Sequence, residues 1–146
     1  MIKSNNYKGI VLAGGSGSRL YPLTKVISKQ LLPIYNRPMV YYPLSILINA
    51  KIKDILIITT PEDQESFKSL LGDGSQWDVR LDYSVQEKPE GIAQSLIIAD
   101  KWLTGNPVVL ILGDNLFFGP DLFLKIEKAI NENDGATIFG YHVDDP

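Results

Sequence analysis

Three glycines, Gly14, Gly15 and Gly17, follow a short apolar run and lead directly into Ser18 and Arg19. The run itself, Ile10-Val11-Leu12, is bounded by Gly9 and is too short for a helix. Its β-branched residues predict a buried parallel strand over about residues 9–13. A turn nearly free of side chains lets backbone N–H groups approach an anion, and it admits positive φ. Arg19 then adds a permanent charge on a planar donor fork suited to phosphate oxygens. Strand, glycine loop and cation together form a phosphate-binding layout.

Two other glycine motifs do not fit. A P-loop ends in Gly-Lys-Ser/Thr, and no glycine of this loop precedes a lysine. A dinucleotide fingerprint begun at Gly15 and Gly17 would need its third glycine at Leu20. A plain strand-to-helix turn with an exposed arginine is the alternative that the loop alone leaves open.

Further along, Pro22 and Pro33 bracket a segment with room for one short helix, which would carry Lys25 and Lys29. Asn36-Arg37-Pro38 reads as a turn, and Pro38 as the opening of a helix through Met39, Tyr42, Leu44, Ile46 and Leu47 to about Ala50. Pro43 falls in its first turn or kinks it. Asp54–Thr60 is a second buried strand. Pro61-Glu62-Asp63 suits a helix N-terminus, and that helix runs to about Leu71. Arg80–Gln86 alternates as a strand with a more exposed face. Residues 91–103 form a helix whose apolar side is Ile92, Leu96, Ile97, Ala99 and Trp102. Pro107–Leu112 is the most apolar strand, which places it at the centre of the sheet. Gly119-Pro120-Asp121-Leu122 opens a helix to about Asn133, and residues 136–143 form a last strand.

Alternating strands and helices predict an α/β fold: a three-layer, mostly parallel, Rossmann-like sheet with helices on both faces. The 146 residues suffice for one domain, and 45% hydrophobic with 21% charged residues is a globular balance. A net charge of −3 offers no basic surface for nucleic acid. The absence of cysteine excludes disulfides and thiolate metal sites and fits a cytoplasmic protein. No apolar run spans a bilayer, and Met1–Tyr7 lacks the apolar stretch of a signal peptide.

Gly113-Asp114-Asn115 follows the most apolar strand. All three residue types favour turns. A carboxylate at the C-terminal end of a parallel strand, however, faces the crevice where α/β folds bind ligands. Mg²⁺ is commonly held by one or two carboxylates plus substrate phosphates. With the glycine loop in the same sheet, Asp114 is therefore the candidate metal ligand. Gln86 ends a strand, and its amide offers the donor and acceptor that a pyrimidine edge requires. Pro89 stiffens the loop after it and Gly91 permits close backbone approach; a solvated strand-to-helix loop is the alternative. His142, the only histidine, is assigned no catalytic role, and Asp144-Asp145 reads as a solvated turn.

The strings Gly14–Lys25, Ser28-Lys-Gln-Leu-Leu-Pro33 and Arg37-Pro-Met-Val-Tyr-Tyr-Pro43 resemble the start of the sugar-1-phosphate nucleotidylyltransferases. The resemblance runs from about Lys8 to the last residue and is strongest to the thymidylyl-transferring branch, which takes dTTP and glucose 1-phosphate and serves dTDP-rhamnose-type biosynthesis. It implies that Gly14, Gly15, Gly17, Ser18 and Arg19 hold the triphosphate. Lys29 would serve the α-phosphate and the sugar phosphate, and Gln30 the nucleotide. Base recognition falls on Gln86, Pro89 and Gly91, and Asp114 binds Mg²⁺. Ser18 stands where threonine is commoner; both carry a hydroxyl. Family members continue well beyond residue 146, so the chain is expected to be the N-terminal portion of a longer enzyme. The sugar pocket and a second metal carboxylate would then lie outside it, and the full-length form is expected to be a homo-oligomer. Uridylyl, cytidylyl or guanylyl transfer, and a non-catalytic nucleotide-binding module, remain as alternatives.

Overall fold

The structure, a computed structural model, describes residues 6–15, 17–140 and 142–143. Its centre is a four-stranded parallel sheet built from β1 (Lys8–Ala13), β4 (Asp54–Thr59), β5 (Arg80–Val85) and β6 (Val108–Leu112) in the order β5-β4-β1-β6. A separate two-stranded hairpin pairs β2 (Pro33–Ile34) with β3 (Arg37–Pro38). Among the described residues the α-helices are α1 (Tyr41–Asn49), α2 (Gln64–Leu71), α3 (Gln94–Leu103) and α4 (Leu122–Glu132).

The period-two alternation of strand side chains divides the apolar residues between two faces. Val11, Ala13, Ile55, Ile57, Leu81 and Ile111 pack with buried residues of α1, α2 and α4, among them Leu44, Leu47, Phe67, Leu71, Ile126 and Ile130. On the other face, Ile10, Leu56 and Ile58 meet Ala99 of α3, with Ile98 and Trp102 half-buried beside it. Helices on both faces of a parallel sheet give the expected three layers. Burial of each large aliphatic contributes about 1.5–3 kcal/mol. Trp102 ties α3 to the sheet: its indole N–H donates to Asp82 Oδ2 at 2.7 Å, and Lys8 Nζ lies 4.6 Å from its ring centroid.

Several expectations are corrected. β6 occupies an edge of the sheet among the described residues, and its partner is β1 alone. Its apolar sequence reflects cover on both faces, with Ile111 facing one cluster and Val108 and Leu110 the other. The inner face of α3 is Ser95, Ala99 and Trp102, whereas Ile92, Leu96 and Ile97 are exposed. Small residues let the helix approach the sheet, and this outweighs the larger aliphatic side chains. Residues 22–33 hold two single 3₁₀ turns, Leu23–Lys25 and Lys29–Leu31, instead of one helix. Pro38 belongs to the hairpin, and α1 starts at Tyr41 with Pro43 in its first turn, where a missing N–H costs nothing. Residues 136–140 and 142–143 form no strand, whereas Tyr141 and the expected turn at Asp144-Asp145 lie outside the described residues.

Candidate functional site

Two neighbouring strands, β1 and β6, end on the same side of the sheet in the parallel register Leu12↔Leu112. The loop after β1 and the turn after β6 are thereby brought together. Between them lies a cleft of about 310 Å³ lined by Gly15, Gly17, Ser18, Arg19, Leu20, Lys29, Gln30 and Asp114. Six residues expected to handle phosphate or nucleotide, together with the expected metal ligand, thus share one space. Gly14 is not among the residues lining it.

Gly17 holds the loop in shape. Its φ is +58°, and a Cβ there would lie 2.8 Å from Thr24 Cγ2 and 3.2 Å from Lys29 Cβ. Thr24 Oγ1 also donates to the Gly17 carbonyl at 2.9 Å. This clamp was not legible in the sequence, where a threonine between two prolines carries no distinguishing signal. After Gly17 the chain turns through a short 3₁₀ segment, Ser18–Leu20, which leaves Arg19 exposed at the cleft.

Lys29 and Gln30 sit in the next 3₁₀ turn. Gln30 is 4% exposed and its Oε1 accepts the Ser28 hydroxyl at 2.7 Å, so it acts as a buried polar wedge under the cleft. Lys29 Nζ donates to Asp114 Oδ2 at 2.9 Å, with both side chains about one-third exposed (31% and 34%). The cleft therefore carries a neutralised ion pair beside an exposed guanidinium. Arg19 has no carboxylate partner among the described residues.

Asp114 offers a hard oxygen at the mouth of the cleft. Among the described residues it has no companions that would make a cluster of three or more possible metal ligands. One accessible carboxylate fits Mg²⁺ only where phosphate oxygens and water complete the shell, which is an ordinary arrangement for that ion.

Gln86, Pro89 and Gly91 are grouped apart from this cleft, at the C-terminal end of β5. Gln86 is 3% exposed; its Nε2 donates to Gln94 Oε1 and, at 3.4 Å, to the Gly91 carbonyl. Gly14 links the two regions, because a Cβ on it would lie 2.6 Å from Gln86 Oε1. Glu87 and Pro89 also line a second cleft of about 430 Å³, with Gly14, Gly15, Thr60 and Asp63 among its other walls. Gln94 and Glu90 were missed in the sequence. Their spacing of four residues at a helix start was the available signal. No described helix is long and apolar enough to cross a membrane.

Residues 8–146 match the family model described as nucleotidyl transferase. The chain is 55% identical over 139 residues to a glucose-1-phosphate thymidylyltransferase of Neisseria gonorrhoeae, covering 95% of this chain and 48% of that protein. It is 56% identical over 139 residues to the protein of the same name from Xanthomonas campestris pv. campestris, covering 95% of this chain and 47% of the relative. The chain thus spans about half the length of the curated relatives it matches. Among solved structures, a Bacillus anthracis protein provisionally assigned as a glucose-1-phosphate thymidylyltransferase, in complex with sucrose, superposes with a TM-score of 0.81 at 43% identity. The match covers 88% of this chain and 52% of that one. A UDP-glucose pyrophosphorylase complexed with UDP-glucose shares the fold, with a TM-score of 0.69 at 20% identity over 86% of this chain and 53% of its own. The family model covers all but the first seven residues, and the chain belongs to the nucleotidyl transferase family.

Proposed function

We propose that the protein to which this chain belongs transfers a thymidylyl group from dTTP to glucose 1-phosphate, giving dTDP-glucose and pyrophosphate. The chain would supply the nucleotide half of that site, as the N-terminal portion of a nucleotidyltransferase domain. The observation that carries this reading is the single cleft in which the glycine loop, Arg19, Lys29 and Asp114 meet. The names of the 55–56% identical relatives supply the nucleotide and the sugar.

In the proposed reaction a phosphate oxygen of glucose 1-phosphate attacks the α-phosphorus of dTTP. The bond to the β-phosphate bridging oxygen breaks, and its electron pair leaves with pyrophosphate. A phosphate monoester has a second pKa of about 6, so the nucleophile is largely dianionic at neutral pH. No general base is required, and His142 does not line the cleft. The chain's task is then positioning and charge cancellation. Amides of the loop at Gly14, Gly15 and Gly17, with the Ser18 hydroxyl, would hold the triphosphate. Arg19 would offset charge on the departing pyrophosphate, and Lys29 would leave Asp114 to meet the α-phosphate. Gln30 would support the nucleotide from below. Mg²⁺, held by Asp114 together with phosphate oxygens, would neutralise part of the triphosphate charge. Gln86, Pro89 and Gly91 would receive the base.

A cytoplasmic setting and self-association are part of the same reading. Exposed Phe117 and Phe118 in the segment after the edge strand β6, and exposed Phe123 and Leu124 on α4, support the latter. Pyrophosphate release and sugar-nucleotide formation from dTTP, in the full-length protein, test the proposal. Substitution of Arg19 or Lys29 by Ala should slow both by about 10²–10³-fold.

A further inference from the structure

The two ends of the Gln86 amide differ chemically, and the surrounding donors and acceptors decide which way it faces. Gln94 Oε1 accepts the backbone N–H of Glu90 at 3.1 Å, and Gln94 Nε2 donates to Glu90 Oε2 at 2.9 Å. A backbone N–H can only donate and a carboxylate can only accept, so the Gln94 amide has one orientation. The same Gln94 oxygen accepts from Gln86 Nε2. Gln86 must therefore turn its NH₂ towards α3 and its oxygen towards Gly14, where a Cβ would lie 2.6 Å away. Gln86 is 3% exposed, so reversing the amide would set oxygen against oxygen in a buried place.

We propose that Gln94 is a positioning residue for base selection: acting through Gln86, it makes an acceptor, Oε1, the group that a nucleotide base meets. This rests on the reading that residues 86–91 receive the base. Thymine and uracil present a ring N–H at N3 and satisfy that oxygen. Cytosine presents an acceptor at N3 and opposes it. Glu90 has a part at one remove, since it fixes Gln94.

Equilibrium affinities of the full-length protein for dTTP and dCTP test this in the wild type, in Gln94→Leu, and in the exchange that combines Glu90→Gln with Gln94→Glu. The exchange restores the reciprocal pair with donor and acceptor reversed, and still offers Gln86 an oxygen. The wild type should prefer dTTP. Gln94→Leu should lower the dTTP:dCTP affinity ratio by about tenfold or more, since only the long 3.4 Å contact to the Gly91 carbonyl then holds the Gln86 amide. The exchange should keep the ratio near the wild-type value, which a general loosening of the α3 terminus would not. A ratio unchanged in Gln94→Leu, or lost as fully in the exchange, overturns the proposal. A wild type without preference overturns instead the assignment of residues 86–91 to the base, and this proposal with it.

Discussion

Lys29 Nζ donates to Asp114 Oδ2 across 2.9 Å, joining groups 85 residues apart in the chain. The contact exists because β1 and β6 are neighbours and deliver their following turns to one cleft. Each residue neutralises the other, and in the proposed reaction a phosphate taking Lys29 would leave Asp114 free for a cation.

That exchange of partners has a measurable consequence. Asp114→Asn should lower Mg²⁺-dependent turnover of the full-length protein by about 10²–10³-fold. It should also raise the affinity for pyrophosphate in EDTA by up to about fivefold, the equivalent of the ~0.2–1 kcal/mol that a part-exposed ion pair holds. Lys29→Met should lower that affinity. Calorimetric titration with pyrophosphate checks both signs; unchanged turnover across a Mg²⁺ titration of Asp114→Asn would return Asp114 to a turn role.

Gly17 is the backbone position on which the loop depends. Gly17→Ala should destabilise by ~1–2 kcal/mol from the left-handed φ alone, and more from the 2.8 Å approach to Thr24. Gly15→Ala, with open space around its Cβ, should cost under ~1 kcal/mol. Urea unfolding of the two variants gives the comparison, and equal losses would contradict the clamp.

Much of this was legible in the sequence because the signals are local. β-branched runs, one ending in glycine and the other at the Pro61 helix start, announced β1 and β4, and the pattern of alternating elements announced the layers. The loop with Arg19, and Asp114 after a strand, could be placed from residue type. Strand order could not, because the apolar content of β6 reports cover on its faces and says nothing about its lateral neighbours. The buried side of α3 was legible in part: Ala99 and Trp102 face the sheet as expected, but Ser95 is buried where Ile92, Leu96 and Ile97 are exposed. The Lys29–Asp114 contact, 85 residues apart, arises from tertiary proximity that no window of sequence contains, whereas Thr24 and Gln94 bond within eight residues along the chain but in irregular backbone whose geometry residue type does not give.

Phe67 tests the layer formed by α1, α2 and α4. It is fully buried against the sheet. Phe67→Ala should cost about 3–5 kcal/mol, read from the midpoint of a denaturant curve, while Phe118→Ala, at a fully exposed position, should change stability by less than ~0.5 kcal/mol.

Tyr83 should give the alkaline limb of stability. Burial, and then the charge of Asp73, raise its phenol from 10.0 to about 12, and its hydroxyl donates to the Gly72 carbonyl at 2.6 Å. The folded state holds this proton more tightly than the unfolded state. The contribution is therefore complete below pH 10 and is lost as pH rises from there through about 12. Tyr83→Phe should flatten the fall in stability over that window, as followed by urea midpoints against pH, and an identical slope in both proteins would contradict the shift.

Nucleotide choice in the full-length protein is the most direct test of nucleotidylyl transfer at this cleft. Glucose 1-phosphate and Mg²⁺ are supplied with each of dTTP, UTP, CTP and GTP in turn, and pyrophosphate and sugar nucleotide are quantified together. Expected are dTDP-glucose and pyrophosphate in equal amounts, with dTTP and UTP used ahead of the other two and at most about 200-fold between them, since one methyl is worth only ~1–3 kcal/mol. Clear preference for CTP or GTP, or nucleotide binding with no pyrophosphate released from any of the four, would contradict it.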